Sequence, residues 1–263
     1  MRKVKPYLTV FRLQALRELS YRGAALGGMI TQLFFGMVLI AVYSAFLTQE
    51  GADTAALRRM ASYVWLQQMF FRGLLSTDGE LVGQIMTGSF AGTLLRPVDQ
   101  HAFFFMRNLA MKLFGSLMRF APLLVCQVFL PESCRLLPPA SFPHFLGFCV
   151  TLLLGLTLSA LFHAMNMALI MVTLDRRGVS AMLNLLAAIF SGNILPLAFF
   201  PDRLQALVRY QPFAQILDLP IRVYQGEATA GGILVQLAWI AVMVIFTRAL
   251  WRRNLRRIVI QGG

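Results

Sequence analysis

The sequence predicts an all-α membrane protein. It should have six transmembrane helices, an N-terminal interfacial amphipathic helix, and a re-entrant extracytoplasmic element before the last span. Three observations carry this. Hydrophobic residues fill 58% of the 263 positions and charged residues only 13%, about half the charged share of a soluble domain. The apolar residues gather in six runs, at about 24–47, 59–76, 109–131, 145–173, 179–200 and 231–251. Each is near the roughly 20 residues that a helix needs to cross a bilayer core. The basic residues fall at the ends of those runs and mostly on one side. The spans leave no room for a soluble domain, so residues 1–263 form one membrane domain.

At the N-terminus, Arg2, Lys3 and Lys5 resemble the basic start of a secretory signal. The apolar run begins only near Gly23 and is longer than a signal's apolar core, so a retained first span is expected. Before it, Leu8, Phe11, Ala15, Leu16 and Leu19 recur at helical spacing, with Arg12, Arg17 and Glu18 off that stripe. Such a helix lies in the headgroup plane near anionic lipid. It serves as a surface anchor, or as a lever that also touches a cytoplasmic partner. Gln67 and Gln68 interrupt the second run, and the third carries Lys112 near its start and Arg119 inside it. Gly23, Gly27 and Gly28 in the first run, and Gly155 and Ser159 in the fourth, permit close helix contact.

Charge sets the orientation. With the N-terminus inside, 17 of the 24 Lys and Arg residues lie in inner segments and 6 in outer ones, with Arg119 remaining. The positive-inside rule then puts both termini in the cytoplasm of a multi-pass plasma (inner) membrane protein. The net charge of +13 reflects this topology and argues against nucleic-acid binding. Cys126, Cys134 and Cys149 are odd in number and lack CxxC spacing, so they form no metal or disulfide framework. A bridge from Cys134, in an outer loop, stays open.

Between the second and third runs, Asp78 to Asp99 is too polar and glycine-rich to span. Leu81, Ile85 and Phe90 are suited to be the apolar contacts of a short interfacial helix, which the Arg96-Pro97 pair ends. The segment is an ordinary cytoplasmic loop, or a coupling helix that inserts into a groove on an ATPase. The outer stretch Pro201 to Thr229 is rich in apolar residues yet cut by Pro201, Pro212 and Pro220. It is a surface-lying loop, or irregular backbone buried in protein at membrane depth.

Gln67, Gln68, Arg119, His163, Asn166, Asn184 and Asn193 all sit within the runs. Polar groups at membrane depth face a bundle interior or a cavity. They either join helices by hydrogen bonds or line a substrate path. The eleven acidic residues fall outside the runs or at their ends, which argues against ion-coupled transport. None of the three lysines follows a glycine, so there is no P-loop. HExxH, GxSxG and carboxylates paired at catalytic spacing are missing too. A membrane pore with a docking surface and no motor draws its energy from another chain.

The run Ile85, Gly88, Leu94, Leu95, Arg96, Pro97 resembles the cytoplasmic loop of ABC-2 family export permeases. So does the order of Leu195-Pro196, Phe199-Phe200-Pro201, Pro212-Phe213, Pro220, Tyr224 to Gly226, Arg256-Arg257 and the end at Val259 to Gly263. The resemblance is to the small six-span form of that family and covers nearly the whole chain. It implies a permease that pairs with a second copy or a homologous permease, and with a dimer of ABC ATPase subunits, to export a substrate. It also implies that the outer stretch is a re-entrant gate. This chain would bind no cofactor; ATP and Mg belong to the partner ATPase. Asp78, Glu80, Ile85, Gly88, Arg96 and Pro97 become the expected ATPase contact, and Gln67, Gln68, Arg119, His163, Asn166 and Asn193 the pathway or interhelical polar residues. Two other readings remain: a non-transporting membrane scaffold or sensor, and a membrane-embedded lipid-modifying enzyme.

Overall fold

Every regular element in the computed structural model is helical among the residues it describes, 4–75, 78–228 and 231–256. Arg2, Lys3, Arg257, Thr229 and the Val259 to Gly263 end lie outside the described residues. The helices are α1 (Lys5–Ser20), α2 (Arg22–Gln49), α3 (Thr54–Leu75), α4 (Gly79–Met86), α5 (Phe90–Leu94) and α6 (Gln100–Cys126). They continue with α7 (Phe142–Thr173), α8 (Arg176–Phe190), α9 (Asp202–Tyr210), α10 (Asp218–Gln225) and α11 (Gly231–Leu255).

Among the described residues, four helices are long and apolar enough to cross a membrane: Ala25–Gln49, Gln100–Phe129, Phe142–Thr173 and Gly231–Leu255. They correspond to the first, third, fourth and sixth expected spans. The second expected span does form a helix, α3, but its polar residues keep it out of this group. Instead α3 is central: residues 61–70 are buried without a break. A helix wrapped in protein needs no apolar surface for lipid. The fifth expected span, 179–200, is helical only as far as Phe190. At 1.5 Å per residue, α8 reaches roughly 22 Å, short of the ~30 Å hydrocarbon core.

The chain path sets the ends of the bundle. α3 runs back along α2, with the Trp65 ring filling the space over Gly36, where a Cβ would come within 2.7 Å. This returns the chain to the α1 end, where Glu80 meets Arg17. α1 packs along the first half of α6. Its Tyr7 hydroxyl accepts from the Asp99 backbone N–H at 3.0 Å, and Phe11 meets Phe114 edge-on at 5.9 Å. The expected apolar stripe of α1 is therefore split. Ala15 is buried and Phe11 half-buried, whereas Leu8 and Leu16 are exposed. The face toward α6 also takes Gln14, so bundle packing rather than a membrane plane selects it.

There are two main apolar clusters. One fills the middle of the bundle around Trp65, Met69, Phe70, Leu158 and Ile216. The other lies at the α4–α5 end, where Leu81, Val82, Ile85 and Phe90 pack with Phe104, Met167, Ile170 and Trp251. Of the expected close-contact glycines, Gly27 has nothing nearby. Gly28 lies beneath the Arg119 guanidinium and Gly155 against the Ile216 carbonyl. All three cysteines, Cys134 included, are free.

Candidate coupling site and polar interior

Asp78 starts α4. Its Oδ1 accepts from the Leu81 N–H at 3.2 Å, satisfying one of the free donors at a helix start. The same carboxylate pairs with Arg107 of α6: Oδ2 lies 2.7 Å from Nε, and NH2 donates to Oδ1 at 3.3 Å. The Asp78 backbone N–H donates to His163 Nε2 on α7 at 3.4 Å. Arg107 NH2 also reaches Glu80 Oε2 at 2.7 Å, and Arg17 NH1 of α1 holds the same oxygen at 2.7 Å. A chain of charges thus ties α4 to α1 and α6, and the hydrogen bond to His163 ties it to α7. The hydrogen bond from Arg17 and the charge of Arg107 hold the Glu80 carboxyl below the usual glutamate range. The Arg17 guanidinium is raised in turn by its bond to Glu80.

The other face of the segment looks outward. Gly88 closes α4 in the left-handed region at φ 73°, and nothing lies within 4 Å of where its Cβ would be. That conformation costs a residue with a Cβ roughly 1–2 kcal/mol. Leu95 is 86% exposed, Met86 is 45% exposed, and Arg96 and Pro97 are exposed beside them. Arg96 sits over the Phe103 ring at 5.8 Å. Asp99 then caps α6 by accepting from Ala102 N–H at 2.9 Å. Of the six expected contact residues, Asp78 and Ile85 are turned into the protein, at 6% and 8% exposure. Glu80, Gly88, Arg96 and Pro97 are at the surface. Arg17 and Arg107 complete the clasp, and the sequence reading marked neither as a partner of this segment. The signal was available: two carboxylates two residues apart, 78 and 80, need cations.

The polar residues of the spans divide into groups. Gln67 donates to the Asn193 backbone carbonyl and, at 3.4 Å, to its Oδ1. Tyr63 donates to the Gly192 carbonyl at 3.2 Å and Tyr43 to that of Ile194 at 2.5 Å. These side chains serve the irregular backbone just past the end of α8, where Gly192 has φ 82°. Non-helical backbone deep in such a bundle survives only where protein satisfies it. Asn166 exchanges hydrogen bonds with Ser180 of α8 at 3.1 and 3.3 Å. Gln68 is buried. Asn108, Lys112 and Ser116 of α6, spaced by four, are almost fully buried, as are Ser159 and His163 of α7. α6 packs on α7, and Lys112 lies near enough for its charge to act on His163. Arg119 is half-buried over Gly28.

Long apolar helices around a polar interior, with a charged clasp at one end, define a multi-pass helical membrane protein. The family model described as ABC-2 family transporter protein matches residues 26–262, and the chain belongs to that family. It is therefore an ABC transporter permease, a membrane transport subunit that is not itself catalytic. Comparison with curated proteins gives no match.

Proposed function

We propose that this permease forms half of the translocation pathway of an ABC exporter, driven by separate ATPase subunits that dock on the α4–α5 segment. One observation carries the reading. The segment is locked to α1, α6 and α7 on its inner side by the Asp78, Glu80 and Arg107 contacts, while Met86, Gly88, Leu95, Arg96 and Pro97 stand exposed on the other. A surface that must pass on a rigid-body movement needs both features. Asp78 and Ile85 then fix the segment to the bundle, and the exposed residues make the contact. ATP and Mg are held by the ATPase, and a second permease, a copy or a homologue, completes the pathway.

In this reading α3, shielded by its neighbours, and α8, lengthened by the irregular backbone past Phe190, also cross the bilayer, which makes six spans with both termini in the cytoplasm. The α9–α10 stretch is the re-entrant outer gate. Its support is the Ile216 carbonyl, which packs on Gly155, 13 residues into α7, or about 20 Å at 1.5 Å per residue. Residues 214–221 are buried without a break. The apolar residues exposed on α2 and α11, such as Ile30, Phe34, Leu234 and Ile245, face lipid.

The test is purification of the tagged chain from its native host in mild detergent, with every co-purifying protein identified. An ABC ATPase should be recovered, and Leu95→Asp or Arg96→Glu should release it. A second six-span chain alongside identifies a heterodimer. A chain that purifies alone in several mild detergents sinks the proposal.

A further inference from the structure

At the end of the bundle opposite the coupling segment, two cavities of 150 and 440 Å³ lie side by side. Arg209, Arg222 and Glu227 line both and so form the partition between them. Arg59 and Tyr63 face the smaller cavity, and Gln215 faces the larger. Asp218, 2% exposed, also faces the smaller one. Its Oδ2 holds Arg222 Nε at 2.7 Å, and the Tyr63 hydroxyl oxygen lies 3.5 Å from its Oδ1. Gln215 Nε2 donates to the Arg209 backbone carbonyl at 2.6 Å, fixing the end of α9.

The charges at this partition do not close on themselves. Asp218 is taken by Arg222, and Glu227 is exposed. Among the described residues no carboxylate lies within ion-pair distance of Arg209, and its Nε is buried without a hydrogen-bond partner. Gln215 Oε1 is likewise buried without a partner. A buried guanidinium donor with no acceptor is costly, and one anionic oxygen would satisfy it. The walls beyond are apolar: Leu47, Met60 and Pro196 in one cavity, Leu219 and Val235 in the other.

We infer that this partition is a binding site for the anionic head of an amphiphile, a phosphate or carboxylate, as it leaves the pathway. Arg209 holds the anion with the planar fork suited to such oxygens. Arg222 and Arg59 add positive charge, and Gln215 Oε1 accepts from a hydroxyl or amide on the head. The apolar walls take the adjoining hydrocarbon. The inference rests on the permease reading for its direction and cargo.

The experiment uses the purified full chain in phosphatidylcholine nanodiscs, titrated with dodecyl phosphate, with dodecyl maltoside as the uncharged control. Dodecyl phosphate should bind saturably and the maltoside should not. Arg209→Gln should weaken binding about tenfold or more, as loss of a charged hydrogen bond does. Arg209→Lys should restore part of it. Arg203→Gln, an exposed arginine of α9 outside both cavities, should change nothing. Arg222 is left intact because its removal would strand the buried Asp218. Competition by inorganic phosphate would mark the anion as the part recognised. Competition by phosphatidylglycerol in the discs would assign the site to a bilayer headgroup and overturn the cargo role. Non-saturable binding, or binding that Arg209→Gln leaves unchanged, would overturn the site. No ATPase takes part, so failure here leaves the co-purification result standing, and the reverse.

Discussion

Two of the three ion pairs in the clasp at the base of α4 are equal in length yet should differ in strength. Arg107–Asp78 and Arg17–Glu80 both close to 2.7 Å. The side chains of the first are 14% and 7% exposed, and those of the second 50% and 47%. Exposed pairs contribute about 0.2–1 kcal/mol. Breaking a buried pair costs about 3–5 kcal/mol because one charge is stranded. Arg107 keeps Glu80 as a second partner, so the loss at Asp78 should fall below that range, at about 2 kcal/mol. Asp78→Asn is the cleanest perturbation, since asparagine caps a helix as well as aspartate and keeps the Leu81 bond. A double-mutant cycle of Asp78→Asn with Arg107→Gln should give a coupling of about 2 kcal/mol, and one of Arg17→Gln with Glu80→Gln less than about 1 kcal/mol. Both can be read from thermal unfolding in detergent, where Asp78→Asn should lower the midpoint by about 4–8 °C. Equal couplings, or a larger one for the exposed pair, would refute the argument from burial.

Other expectations follow from local geometry. Gly155→Val should cost about 1–3 kcal/mol or more, because its Cβ would meet the Ile216 carbonyl at 2.5 Å and backbone cannot swing away; Gly27→Ala, inside α2 with open space around it, should hold or slightly raise the melting midpoint. Gln67→Leu keeps the volume but removes the donor to the Asn193 carbonyl; a loss of about 1–3 kcal/mol should appear as a lower midpoint, and an unchanged one would show that carbonyl to be satisfied otherwise. The Glu80 carboxyl is held low in the folded protein, so its contribution is present above the ordinary glutamate range and lost as pH falls through the lowered folded value. The difference in midpoint between the parent chain and Glu80→Gln should therefore be steady near neutrality and vanish on acidification. A difference that grows with acid would contradict the sign.

The helical class and the four apolar helices were legible because hydropathy and 3.6-residue periodicity are properties of neighbouring residues. The Asp78–Pro97 segment was legible for the same reason, since its glycines and proline act on the local backbone. The place of Ile85 was only half legible. Its apolar character predicted a contact, but it is buried in a cluster of the same chain that includes Phe104, Met167, Ile170 and Trp251. The interruption of the second run by Gln67 and Gln68 was legible, but that residues 61–70 are wrapped in protein without a break was not, because composition cannot tell a central helix from one at the edge.

By itself, then, the sequence determined a helical membrane protein with a polar, interrupted segment between its second and third apolar runs, and a proline-cut stretch before its last. Only the tertiary structure decided which polar groups meet. Tyr43, Tyr63 and Gln67 reach the backbone beyond α8 across 151, 129 and 126 residues of sequence. Arg17 reaches Glu80 across 63. Nothing in the local pattern at either end of such a pair encodes the other, because the energy that joins them exists only once α2, α3 and α6 have packed and shut water out.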